Sequence, residues 1–128
     1  MNRLHPLLRA CLYAVLVALV LSGALWEVGI ARAMLIKVHG AAAMASLIAF
    51  GALLARHVTC GWAAKANRTT GVVMLVALLW LVVSGYLLYY AGDDGLRAYA
   101  GETHFWVGLA LAGMFAVHQG RRARTAGR

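Results

Sequence analysis

The chain has 128 residues, of which 63% are hydrophobic and only 12% charged. A soluble domain carries about a quarter charged residues, so the composition excludes an ordinary water-facing surface and makes a bilayer the expected solvent. A net charge of +8 would point to nucleic acid if the cations shared one soluble face. Here they lie between apolar runs, which argues against nucleic-acid binding.

A length of this order predicts one domain, residues 1–128. Crossing the hydrocarbon takes about 20 residues of helix, and four stretches qualify. The first span is predicted at 7–28, around the apolar run Leu7 to Trp26. Arg3 and Arg9 ahead of that run imitate a signal peptide. The run is long, however, and no Ala-x-Ala site follows, so it is read as a retained span. The second is predicted at 34–57, with Met34 to Leu54 as its apolar part and Arg56-His57 at its end. The third is predicted at 70–91, around Gly71 to Tyr90. The fourth is predicted at 103–120. Its apolar run, Phe105 to Val117, is short and is extended by interfacial residues at both ends. Short connections favour antiparallel neighbours, and helices satisfy their own backbone in lipid. The expected fold is all-α: an integral membrane, up-down-up-down four-helix bundle.

Charge predicts the orientation. With the N-terminus inside, nine cations (Arg3, Arg9, Arg56, Lys65, Arg68, Arg121, Arg122, Arg124 and Arg128) are internal. Arg32, Lys37 and Arg97 then lie outside with all four acids, Glu27, Asp93, Asp94 and Glu102. Both termini are therefore expected in the cytoplasm of a multi-pass inner-membrane protein. Trp26, Tyr89, Tyr90, Tyr99 and Trp106 fall toward the outer interface and Trp62 at the inner one, as an aromatic belt would. Cys11 and Cys60 make no zinc-type spacing, and the absence of Cys-x-x-Cys-His excludes covalent c-type haem attachment. This topology also puts both thiols on the reducing side, against a disulfide.

The five histidines carry the chemistry. His5 belongs to the N-terminal segment and reads as interfacial. The other four lie on the second and fourth spans: His39 opens the second and His57 closes it, while His104 opens the fourth and His118 closes it. In an up-down-up-down bundle these two helices run parallel. His39 and His104 then share the outer depth, and His57 and His118 the inner one. At about 100° per residue, His104 and His118 lie within about 40° of one face, and the step from His39 to His57 returns to nearly the same angle. Such stripes suit two planar cofactors, each iron held by one imidazole from each helix. The rise gives about 21 Å between the fourth-span pair and about 27 Å between the second-span pair. His57–His118 is thus the less well matched pair.

Ionisable groups inside spans are costly and are usually functional. Small residues offer room beside these histidines. Gly40, Ala41, Ala42 and Ala43 follow His39, Ser46 lies two turns on, and Gly51, Gly108 and Gly113 thin the same two helices. Ordinary close packing of membrane helices uses the same residues. Candidate cations for haem propionates are Lys37 and Arg97 outside and Arg56, Lys65, Arg68, Arg121 and Arg122 inside. The segment Ala91-Gly92-Asp93-Asp94-Gly95 reads as a solvated acidic turn, with a docking patch for an outer-face redox partner as the sharper alternative. Glu27 reads as an interfacial anchor or as a proton relay at a quinol site. No nucleophile triad, paired carboxylates or phosphate loop is present, so nothing supports a hydrolase.

Several segments, in this order, resemble a known family. They are His39-Gly40-Ala41-Ala42; Arg56-His57-Val58 with Gly61-Trp62; Asn67 through Gly71; and Ser84-Gly85-Tyr86-Leu87-Leu88-Tyr89-Tyr90-Ala91-Gly92-Asp93. Last come His104, Trp106, Gly108 and His118 before Gly120-Arg121-Arg122. Across about residues 35–122 the chain resembles the bacterial flavinylation-associated cytochromes, small four-helix membrane b-type cytochromes. The resemblance implies two non-covalent b-type haems held by His39, His104, His57 and His118. It also implies electron transfer across the inner membrane, toward flavin-bearing extracytoplasmic proteins. The wider set of four-helix b-type cytochromes includes superoxide oxidases, which usually place their first ligand differently. The first span here has no histidine, so superoxide chemistry does not transfer.

The reading that follows is an electron conduit between the quinol pool and an outer-face acceptor, with a quinone pocket beside the haem as an option. Iron with two histidine ligands has no open position, which favours electron transfer over oxygen chemistry and over a self-contained enzyme. The alternatives are a quinone-linked superoxide oxidase, which the acidic outer loop disfavours, and a non-redox assembly or anchoring subunit.

Overall fold

A computed structural model describes residues 6–54, 59–63 and 68–126. Over these the chain is all-α, with four long helices and one short one: α1 (Pro6–Glu27), α2 (Arg32–Leu53), α3 (Thr59–Ala63), α4 (Arg68–Tyr90) and α5 (Asp94–Ala126). They form two compact units, residues 1–64 and 65–128. Each unit is a helical hairpin: α1 packs on α2, and α4 packs on α5.

In the first hairpin Pro6 opens α1, where its missing N–H is no loss. The helix closes with a Schellman turn. The Gly29 N–H donates to the Trp26 carbonyl and the Ile30 N–H to the Leu25 carbonyl, both at 3.0 Å. This 5→2 and 6→1 pattern needs a left-handed residue, supplied by Gly29 at φ +85°. Ala31 then caps α2 with φ 41° and ψ 40°, a left-handed backbone that costs an alanine about 1 kcal/mol. Its carbonyl accepts from the Met34 and Leu35 N–H groups. The Arg32 guanidinium lies 5.1 Å from the centre of the Trp26 ring, and its Nε donates to the Trp26 carbonyl. These contacts tie the two ends of the turn together.

The second hairpin turns through Ala91, Gly92 and Asp93. Asp93 is the N-cap of α5: its Oδ1 accepts the Leu96 N–H at 2.6 Å, and its carbonyl accepts the Arg97 N–H. Asp94, in the first turn, pairs with Arg97 three residues on. Negative charge at a helix N-terminus is favourable. Gly101 packs against Leu88 and Gly108 against Leu81. As the number rises on α5 it falls on α4, so the two helices are antiparallel.

Helix boundaries depart from the sequence reading in two places. The acidic segment expected as a turn is half helix, because the Asp93 cap starts α5 at Asp94. The fourth span, expected at 103–120, is therefore the middle of a 33-residue helix. Its polar first third carries no hydropathy signal. At the other boundary, α2 was expected to reach His57, but its α-helix ends at Leu53. His57 lies outside the described residues.

The distribution of polarity is inverted relative to a water-soluble domain. Among the described residues, the buried side chains are Ser22, Ala49, Ser84 and Ala100. Large apolar groups face outward along α1, α2 and α4, with Ile48 75% exposed and Leu79 57% exposed. Helices that are hydrophobic all round call for an apolar surrounding. Three of them, α1, α2 and α4, are long and apolar enough to cross a membrane. The helix α5 is not among them, because its apolar run, Phe105 to Val117, is short and is bounded by His104 and His118 with charged residues beyond. Cys11 and Cys60 are both free thiols and both exposed.

Candidate functional site

Among the described residues the two buried polar side chains, Ser22 and Ser84, are the places where a polar group had to be given partners. Ser22 is 3% exposed and Ser84 is wholly buried. An unsatisfied hydroxyl in such surroundings costs about 1–3 kcal/mol. Each is satisfied twice, and in the same way. The Ser22 Oγ lies 2.5 Å from the Ala18 carbonyl, four residues back, and 2.9 Å from the Nδ1 of His39. The Ser84 Oγ lies 2.7 Å from the Trp80 carbonyl, again four residues back, and 2.9 Å from the Nδ1 of His104.

Proton inventory assigns the direction of these bonds. A serine hydroxyl has one proton and a carbonyl oxygen has none. An oxygen–oxygen separation of 2.5 or 2.7 Å therefore requires the hydroxyl to donate to the carbonyl. The serine oxygen is then an acceptor toward the ring, and Nδ1 must carry the proton; the His39 ring also has a hydrogen bond to the Leu19 backbone. A neutral imidazole protonated on Nδ1 has its lone pair on Nε2. That is the nitrogen of a histidine whose other ring nitrogen is held by an outer partner while it ligates a metal.

A glycine follows each serine and lies beside the ring. A Cβ on Gly23 would stand 3.4 Å from the His39 Cε1, and one on Gly85 would stand 3.6 Å from the His104 Cε1. Both are ordinary van der Waals distances, so alanine fits at either place and a larger side chain has to turn away from the ring. A Ser-Gly pair on the first helix of a hairpin and a histidine on the second thus make one structural unit, and the chain contains it twice.

His39 sits on α2 in the first unit, and His104 sits on α5 in the second; both are half-buried. His118, also half-buried, lies on α5 beyond His104. Because α5 is one uninterrupted helix, His104 and His118 lie within about 40° of one face of it, about 21 Å apart along its axis. Gly51 and Gly113 meet nothing within 4 Å among the described residues, whereas Gly108 receives Leu81. Of the candidate propionate cations, Arg97 is engaged with Asp94, and Lys37 is exposed two residues before His39. Among the described residues no group of three or more His, Cys, Asp or Glu side chains could hold a metal ion.

Sequence reasoning missed the serines as site residues. Their signal was present: a Ser-Gly pair inside an apolar run, in both halves of the chain, with a histidine 17 residues later in one case and 20 in the other. Compared with known protein families, with characterised proteins and with solved structures, the chain matches none.

Proposed function

We propose that this chain is a dihaem b-type membrane cytochrome that carries electrons across the inner membrane between the quinol pool and an outer-face acceptor, such as a flavoprotein. The observation that carries the reading is the duplicated Ser–His contact. It presents two imidazoles, one per hairpin, in the same tautomer and with the same ring support. Two equivalent neutral imidazoles are the donor set that low-spin haem iron takes.

In this reading His39 and His104 hold one haem and His57 and His118 the other, with both termini in the cytoplasm. A b-type haem supplies a one-electron carrier whose potential its axial ligands and their hydrogen bonds adjust. The protein holds the imidazoles still, shields them behind buried serines and presents an apolar exterior to lipid. Full ligation directs the site to electron transfer rather than to bond chemistry at an open coordination position.

The test is a reduced-minus-oxidised spectrum with haem quantification on the purified full chain. Two haems per chain are expected, His39→Ala and His57→Ala each removing one. A chain with no Soret band after expression with ample haem would refute the reading.

A further inference from the structure

The serines are more than packing. We propose that Ser22 and Ser84 are positioning residues that lock His39 and His104 in the Nδ1–H tautomer, so that Nε2 is the ligating atom in each hairpin. The proposal rests on the haem reading for what is ligated, but not for the lock itself.

Three observations support it independently of that reading. The serines are the two buried polar side chains among the described residues. Each has its single proton committed to a carbonyl within 2.7 Å, which leaves Nδ1 as the donor of the 2.9 Å ring contact. And the arrangement occurs twice, on different local sequences: Leu19 and Ala18 surround the Ser22 hydroxyl, Leu81 and Trp80 that of Ser84. A single such contact would be a satisfied core histidine. Two with matching atoms, distances and adjacent glycines indicate a common requirement on the ring.

The requirement follows from the two ring nitrogens. In water a neutral imidazole exchanges between Nδ1–H and Nε2–H forms, and only the first puts the lone pair at the ring's far end. A ligand that spent part of its time in the other form would hold metal more weakly. An acceptor on Nδ1–H removes that fraction. It also makes Nε2 a stronger base, which favours the oxidised, more electron-poor metal. A hydroxyl acceptor does this without introducing a charge into the apolar interior, as a carboxylate would.

The experiment has two arms, on full-length protein in detergent micelles. In the haem-free chain labelled with ¹⁵N-histidine, long-range ¹H–¹⁵N correlation reads each tautomer directly. His39 and His104 are expected as Nδ1–H. Ser84→Ala is expected to move His104 alone toward the Nε2–H form, and Ser22→Ala His39 alone and less far, because the Leu19 carbonyl remains as a second acceptor. Ser22→Thr and Ser84→Thr, which keep the hydroxyl, restore the native signal. In haem-loaded protein, each alanine variant is expected to retain haem about 10-fold more weakly and to shift the midpoint potential positive. The threonine variants stay near wild type. Circular dichroism confirms that helicity is kept.

Unchanged tautomers in the alanine variants would overturn the lock, even if haem binds and the cytochrome reading stands. A tautomer shift in a chain that binds no haem would confirm the lock but overturn Nε2 as a haem ligand, and with it the proposed function. Haem lost equally from the alanine and threonine variants would mark the serines as merely structural.

Discussion

The two hairpins hold the same Ser–His contact and differ in how they turn to make it. The first closes with a Schellman turn through Gly29 and a left-handed Ala31. The second has a three-residue connection, and Asp93 caps its outgoing helix. His39 stands seven residues into α2, and His104 stands ten residues into α5. The difference of three is most of one helical turn, so α5 has nearly one more turn ahead of the contact than α2 has. What the halves share is therefore the atom-level relation between hydroxyl and ring. The turn chemistry is free to vary.

That contrast sets out the tests. The largest effect is expected at the shared element. His39→Ala and His104→Ala should each remove the same haem, halving the haem-to-protein ratio measured as pyridine haemochrome; loss from only one variant would break the equivalence of the hairpins. Next, Gly23→Leu and Gly85→Leu crowd the supported ring. Each should lower stability by about 1–3 kcal/mol, read as the midpoint of thermal unfolding in detergent. Similar losses would confirm that both rings are equally confined.

The remaining tests address what differs. Asp93→Ala removes the cap of α5 and should cost about 1 kcal/mol, in the second hairpin alone. Hydrogen exchange at Leu96 and Arg97 would locate the loss. Gly29→Ala forces a Cβ onto a backbone at φ +85° and should cost about 1 kcal/mol in the first hairpin alone. Smallest is Ala31→Gly. Relief of left-handed strain, about 1 kcal/mol, is nearly offset by glycine's greater loss of freedom, about 0.5–1 kcal/mol. A net gain of no more than about 0.5 kcal/mol is expected, and a clear loss would show that the Ala31 methyl has a packing role.

Sequence alone determined the elements and their character. Apolar runs of spanning length and the sparse charge are local properties, and α1, α2 and α4 follow from them. So does the common face of His104 and His118, because both lie on one unbroken helix and the helical repeat is itself local. The start of α5 was hidden. A side-chain cap at Asp93 extends the helix through the polar residues 94–102, and hydropathy does not report capping. Tertiary structure decided the Ser–His contacts. Ser22 and His39 are 17 residues apart and Ser84 and His104 are 20 apart, on different helices. Whether their side chains meet depends on the turn geometry and the rotation of one helix against the other. Neither is encoded in the periodicity of a single segment. The tautomer was further still from the sequence, since it follows from the single hydroxyl proton and the carbonyl four residues back that takes it.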